Sequence, residues 1–316
     1  MYLCTQIAYL LLYQNIIKMK KLTQEQYGVL DVNVSMALMH EMGASKANTG
    51  EVLITDIQTG SLIKYMGLKD GRYGGYVEID TMLMHVYPII LIPAIYLIII
   101  EMGGKPTDTI EFGTKKITLQ QVFSKGTDDM ITKAINQYVP GGCRGLNYYL
   151  TQMSSWMYSE YRSSYEDLKL IMLEPYRMQQ WMDSIARGNG FTETYPADSP
   201  NKKLFISPDS VKVLQEELKV RESMYTDDND SDDNISINGY SFVTGPDNSY
   251  NRNRSIVFSG YFPYNNPKMG VYVRLNRKEQ LDDVIKAEWP ELGIYAHSVC
   301  KKIAEAFANR EALKDL

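Results

Sequence analysis

SFVTGPDNSYNRNRSIVFSGYFPYNNPKMGVYVRL, residues Ser241 to Leu275, is the stretch whose reading decides the fold. Strand side chains alternate between the two faces of a sheet, so short runs of β-branched and aromatic residues with a period of two read as strands. Arg254 to Phe262 and Gly270 to Asn276 fit that pattern, and Pro263 to Met269 joins them. Ile235 to Thr244 fits as a third strand, followed by Gly245 and by Pro246, which has no N–H to donate. Further on, Val299, Ile303, Ala306 and Phe307 recur at helical spacing and predict a closing helix from about Tyr295 to Ala308.

Working back toward the start, Thr23 and Gln26 form a capping box, and Val29, Leu30, Val34, Leu38 and Met42 predict a helix over about 23–43. Glu51 to Leu68 reads as two antiparallel strands around Gln58-Thr59-Gly60. The glycine-rich GLKDGRYGGY that follows lacks the strand-before, helix-after context of a phosphate cradle and reads as a loop. Pro88 to Ile100 is uniformly apolar; it is too short for a membrane span and predicts a buried core helix with prolines near its start. Thr118 and Gln121 cap a short helix at LQQVF, and another runs from about Thr127 to Tyr138, stopped by Pro140-Gly141-Gly142. Leu146 to Tyr165 reads as helical. A helix over about 176–187 ends at Gly188-Asn189-Gly190, and Ser207-Pro208 opens one with Val211, Leu214 and Leu218 on one face. Strands, then helices, then strands again describe an α+β fold: an antiparallel β-sheet flanked by helices, with a central all-helical part.

Composition narrows the function classes. The 316 residues, 44% hydrophobic and 22% charged, suffice for a substantial core and exclude a disordered or fibrous chain. A net charge of -5 with no basic stripe argues against nucleic acid as a partner. Cys4, Cys143 and Cys300 are scattered, as are His40, His85 and His297, so neither a disulfide framework nor a metal site is signalled, and no cofactor is expected. The acidic Thr226 to Asn234 lacks the glycine and glutamate of a calcium loop and reads as a solvated loop. Residues 1–17 are mostly apolar but interrupted by Thr5, Gln6, Gln14 and Asn15, and their lysines follow the apolar run where a signal peptide has its charge before it. A membrane anchor and a start misassigned ahead of Met19 are both open readings, and residues 1–22 are set apart from a domain at 23–316.

The order of elements and several local motifs resemble the transpeptidase domain of penicillin-binding proteins, in its monofunctional septal form within the serine β-lactamase-like superfamily. GEVLITDIQTGSLIKYMGL (Gly50 to Leu68) resembles that family's first hairpin with its Asp-x-x-Thr-Gly turn; EPYRMQQWMDSIARGNG resembles its Thr-Pro-Leu-Gln helix; GYFPYNNPKMGVYV resembles its Gly-Tyr-Phe-Pro hairpin; IYAHSVCKKIAEAF resembles its last helix. The resemblance implies acyl transfer by a serine with a lysine one turn later, assisted by a Ser-x-Asn turn and a Lys-Thr-Gly strand. It also implies where those groups would stand. The nucleophile and its lysine fall on Ile90 and Pro93; the Ser-x-Asn turn falls on Gly126, Thr127 and Asp128; the Lys-Thr-Gly strand falls on Val243, Thr244 and Gly245, with Pro246 next. Isoleucine offers no nucleophile and proline no base. Val243 cannot pair with a carboxylate, and Pro246 cannot donate to an oxyanion, a loss that costs about 10²–10³ in rate where one such donor is removed.

These substitutions lead to the expectation of a transpeptidase-like pseudoenzyme of a bacterial type, with a binding or scaffolding role at the cell wall and a cell-wall or divisome protein as partner, and without covalent penicillin binding. Ile89 to Ile92, Val243 and Pro246 are expected to line an apolar or partly filled former groove. The rival reading is an active transpeptidase or acyl-serine hydrolase using a displaced serine, for which Ser124 beside Lys125, and Ser154-Ser155, are the candidates. The resembling family works at the periplasmic face of the inner membrane; the missing export signal leaves a cytoplasmic location open for this chain.

Overall fold

The computed structural model describes residues 19–69, 84–86, 91–125, 128–153, 171–173, 175–190, 206–222, 235–243, 253–278 and 289–316. In chain order these form α1 (Gln24–Ser45), β1 (Thr49–Asp56), β2 (Ser61–Lys69), β3 (Met84–Val86), α2 (Ile92–Glu101), β4 (Thr109–Phe112), β5 (Lys115–Thr118), α3 (Leu119–Lys125), α4 (Asp128–Tyr138) and α5 (Gly142–Met153). Then follow β6 (Ile171–Leu173), α6 (Pro175–Ala186), α7 (Pro208–Glu222), β7 (Asn238–Val243), β8 (Asn253–Phe262), β9 (Met269–Lys278) and α8 (Trp289–Asn309), with a short 3-10 turn at Glu311–Leu313. The fold is α+β.

Five strands form one antiparallel sheet in the order β2-β1-β9-β8-β7, so the last strand of the chain is inserted between the first hairpin and β8. Alternation assigns the two faces. Val52, Ile54, Val243, Ile256, Phe258, Val271, Val273 and Leu275 point to an outer layer made by α1 and α8. Leu53, Tyr240, Phe242, Val257, Tyr261 and Tyr272 point the other way, into a core shared with α2 to α7. The sheet is therefore buried on both sides, and a one-residue slip of any strand would move its apolar set into the wrong layer.

Local chemistry sets the element ends. Thr23 and Gln26 cap α1 reciprocally through backbone contacts of 3.0 and 3.1 Å, and Thr118 and Gln121 repeat the device ahead of α3 at 3.0 and 3.2 Å. In the first hairpin Asp56 Oδ1 accepts from the backbone N–H of Gln58 and Thr59, while Gly60 closes the turn at φ +65. The outer carboxylate oxygen of Asp56 accepts from Lys20 at 2.7 Å, and Lys20 also donates to the Leu316 carbonyl at 2.9 Å. Burial opposes ionisation of Asp56, but these donors outweigh it and hold its carboxyl below the ordinary value.

Several boundaries differ from the sequence reading. α5 starts at Gly142, not Leu146, because Gly141 and Gly142, at φ +79 and +58, turn the chain and the next helix begins on the second of them. α8 starts at Trp289, since Pro290 falls in the first turn, where a missing N–H leaves no bond unmade. β7 begins at Asn238 and not Ile235. The ribbon β3–β6 and the hairpin β4–β5 have too few residues to show a period. Of the loop read at GLKDGRYGGY, Gly67 to Lys69 instead continue β2, and the rest lies outside the described residues, as do the acidic Thr226 to Asn234, Ser154 to Tyr165 and residues 1–18. Among the described residues no helix is long and apolar enough to cross a membrane, and no cluster of His, Cys, Asp or Glu could hold a metal ion.

On the inner face, Glu51 of β1 stands directly opposite Arg274 of β9, and the two form an ion pair of 2.8 Å with each side chain 2% exposed. Burial pushes the Glu51 carboxyl up, and the Arg274 charge pulls it back. Removing one member of such a pair leaves the other charged and dry, typically at a cost of about 3–5 kcal/mol, whereas apolar replacement of both is often neutral. Arg274→Met should therefore lower the urea midpoint strongly, and the double variant Glu51→Leu/Arg274→Met should recover most of the loss. Equal midpoints for the single and double variants would refute this account.

Candidate functional site

The start of α2, the end of α3 and the inner face of β7 converge on one another beneath α7. α2 is buried all round: Leu91 to Ile99 are inaccessible, in keeping with a helix that has no polar face. Pro93 sits in its first turn, where a proline fits because the N–H it lacks would have no helical partner. From α3, Val122 and Phe123 enter the same core, and Phe123 packs edge-to-face on Tyr96 at 4.8 Å between ring centroids. From β7, Tyr240 and Phe242 point inward with their rings stacked at 5.8 Å.

What remains between them is a cavity of about 10 Å³ lined by Ile92, Pro93, Tyr96, Phe123, Leu214, Glu217, Leu218 and Tyr240. A space of that size is at the lower limit for a single water. Among the described residues its lining contains no serine, cysteine or lysine. Among the described lining residues the one carboxylate is Glu217, buried on α7, whose Oε2 accepts from Gln120 Nε2 at 2.8 Å. Sequence reading passed over Glu217, although it lies three residues beyond Leu214 on the face assigned to the core. A carboxylate at an apolar helical position was the available signal.

Each anticipated site residue can be located or set aside. Pro93, in the first turn of the buried helix, and Ile92 both line the cavity. Ile89, Ile90, Gly126, Thr127, Thr244, Gly245 and Pro246 lie outside the described residues, and of Asp128 only its place at the start of α4 is described. Val243 requires a correction: it does not line the seam. It is the last described residue of β7, and alternation turns it away from Tyr240 and Phe242 into the outer cluster with α8. Ser241, on that same outer face, donates to the Gly293 carbonyl of α8 at 2.9 Å. Of the displaced serines, Ser124 Oγ donates to the Gln121 carbonyl of its own helix at 3.3 Å, and Ser154 and Ser155 lie outside the described residues.

Comparison with known proteins places the fold. The structure is similar to the transpeptidase domain of the FtsI4 D,D-transpeptidase from Legionella pneumophila, with TM-score 0.61 and 16% identity over 92% of this chain and 98% of that one. It is similar to the apo transpeptidase domain of penicillin-binding protein 3 from Burkholderia pseudomallei, with TM-score 0.59 and 14% identity over 90% and 94%. It is also similar to a peptidoglycan glycosyltransferase from Burkholderia ambifaria, with TM-score 0.59 and 13% identity over 90% and 96%. No family model matches the chain, and no curated protein matches it in sequence.

The position of Val243 gives a direct check. Val243→Lys, which restores the residue type implied by the resemblance, would drive an ammonium into the apolar layer against α8. Burying an unpaired polar group there should cost at least about 2 kcal/mol, read as a lowered thermal midpoint. A variant as stable as the parent would show that residue 243 has access to solvent or to the seam.

Proposed function

We propose that this chain, which has the fold of penicillin-binding transpeptidase domains, is a pseudoenzyme: it retains the architecture, performs no acyl transfer, and acts by binding or scaffolding in peptidoglycan or cell-wall biology, with a cell-wall or divisome protein as its partner. One observation carries the reading. The place where the first turn of the buried helix meets β7 is closed by Ile92, Pro93, Phe123 and Tyr240 down to a residue of about 10 Å³. An acyl-transfer site needs a nucleophile within hydrogen-bond reach of a base, beside a space that admits the reacting carbonyl. The described seam offers neither group and no such space.

The residue types along the motifs support the same reading. Ile90 and Pro93 stand where the resemblance calls for a serine and its lysine, and loss of a nucleophile in a triad enzyme costs on the order of 10⁶ in kcat. Gly126 and Asp128 replace the serine and the amide of the second motif, and Pro246 removes an N–H beside the third. Thr127, Thr244 and Gly245 keep the residue types that the resemblance implies.

The test is incubation with a fluorescent penicillin at millimolar concentration, followed by gel fluorescence and intact-mass measurement. The expected result is an unlabelled chain at its unmodified mass. A stable acyl adduct mapped to any serine, Ser124 and Ser154-Ser155 included, would replace this reading with that of an active acyl-serine enzyme.

A further inference from the structure

Helix α6 is laid on the inner face of the sheet where two strand residues are glycines. A Cβ on Gly270 would overlap the Asp183 carboxylate, the Gln179 amide and the Thr55 hydroxyl, which together fill the space above it. Gln179 Nε2 donates to Asp183 Oδ1 at 2.7 Å and to the Gly260 carbonyl at 3.0 Å, and its oxygen accepts from Ser259 Oγ at 3.0 Å. Asp183 is 1% exposed, and among the described residues its Oδ2 has no hydrogen-bonding partner. A carboxylate so placed has one oxygen satisfied and no cation against it, whereas a carboxylic acid would have a proton on the lone oxygen and lose the charge.

Among the described residues no cation forms an ion pair with it, although the Arg187 charge favours its ionised form. On α6 itself, Arg187 turns its guanidinium to the Ile57 carbonyl at 2.6 Å. From β1 the nearest charge is the Asp56 carboxylate, which disfavours a second anion and is itself held by Lys20. β8 and β9 present only Ser259 and glycine backbone there.

We propose that Asp183 is a pH-operated latch between α6 and the sheet: protonated, it seals the helix onto Gly260 and Gly270, and ionised, it loosens that contact. Burial is the main cause that pushes its carboxyl up, to about 6, with the Asp56 charge adding to it, against the Gln179 and Thr55 hydrogen bonds and the Arg187 charge, which work to lower it. A group with a raised value in the closed state binds protons more tightly there than in the opened state, whose value is ordinary. Closure is therefore favoured below the ordinary carboxylate range, weakens as pH rises toward 6, and changes no further above it.

The experiment is hydrogen exchange of residues 175–190 at pH 5 and pH 7.5, corrected for intrinsic rates, in the parent chain and in Asp183→Asn. The ratio of parent to variant protection should fall about tenfold from pH 5 to pH 7.5. A ratio independent of pH would overturn the latch and leave Asp183 a structural residue. If Asp183→Asn does not fold, the carboxyl carbon shift of Asp183 in the isotope-labelled parent decides: a midpoint near 6 supports the latch, and one near 4 sinks it.

Discussion

Helix α6 approaches β9 so closely that Gly270 has no room for a side chain, and Gln179 of the helix donates to the backbone carbonyl of Gly260 on β8. The rest of the inner layer is set by that approach. With α6 resting directly on the backbone, Met178, Trp181, Met182 and Ile185 can reach the hydrophobic core that α2, α3 and α7 share with Tyr240, Tyr261 and Tyr272. Trp181 is fixed further by donating its Nε1–H to the Gly190 carbonyl at 3.1 Å, which turns the chain at the end of the helix. A larger residue at Gly270 would push against Asp183 and Gln179 and lift the helix from the sheet.

Tight filling of that seam has a physical logic of its own. A helix whose every side is apolar gains stability only by complete burial, and α2 obtains it with Ile92 and Pro93, which need neither water nor partners, in its first turn. Serine and lysine at such a site would each require hydrogen bonds in a dry core, so an active arrangement has to keep the seam open and wet. The described residues of this seam are apolar apart from Glu217 and the two tyrosines. Polar chemistry is displaced to the other end of the inner face, into Gln179, Asp183 and Ser259, and to the Glu51–Arg274 pair across two strands.

Much of the architecture could be read from the residues because local signals and tertiary demands agree. The capping boxes at Thr23 and Thr118, the Asp56 turn and the alternating strands read at Arg254 to Phe262 and Gly270 to Asn276 each carry a signal within a few residues, and each forms, the strands one and three residues longer than read. The face of Val243 was not readable in the same way. A single position at a strand end obeys the alternation of the whole strand, and matching a motif by residue type gives its place along the chain without giving the side it faces. Glu217 and Asp183 escaped notice for a related reason: helical periodicity marks apolar positions as core, and a buried carboxylate reads as an exposed one until the partner elements are in place.

The insertion of β9 between β1 and β8 also has a consequence for the order in which the chain can be built. Glu51 and Arg274 are 223 residues apart, so β1 and β2 leave the ribosome long before the strand that completes their pairing. At about 5–20 residues per second, β1 waits on the order of ten to forty seconds with one hydrogen-bonding edge open and its apolar inner face uncovered. The first hairpin is thus the part of the nascent chain most exposed to wrong pairing, with another copy of itself or with a chaperone as the first comer. Completion of the fold is a late and non-local event, governed by the synthesis of the last fifty residues more than by the helices in between.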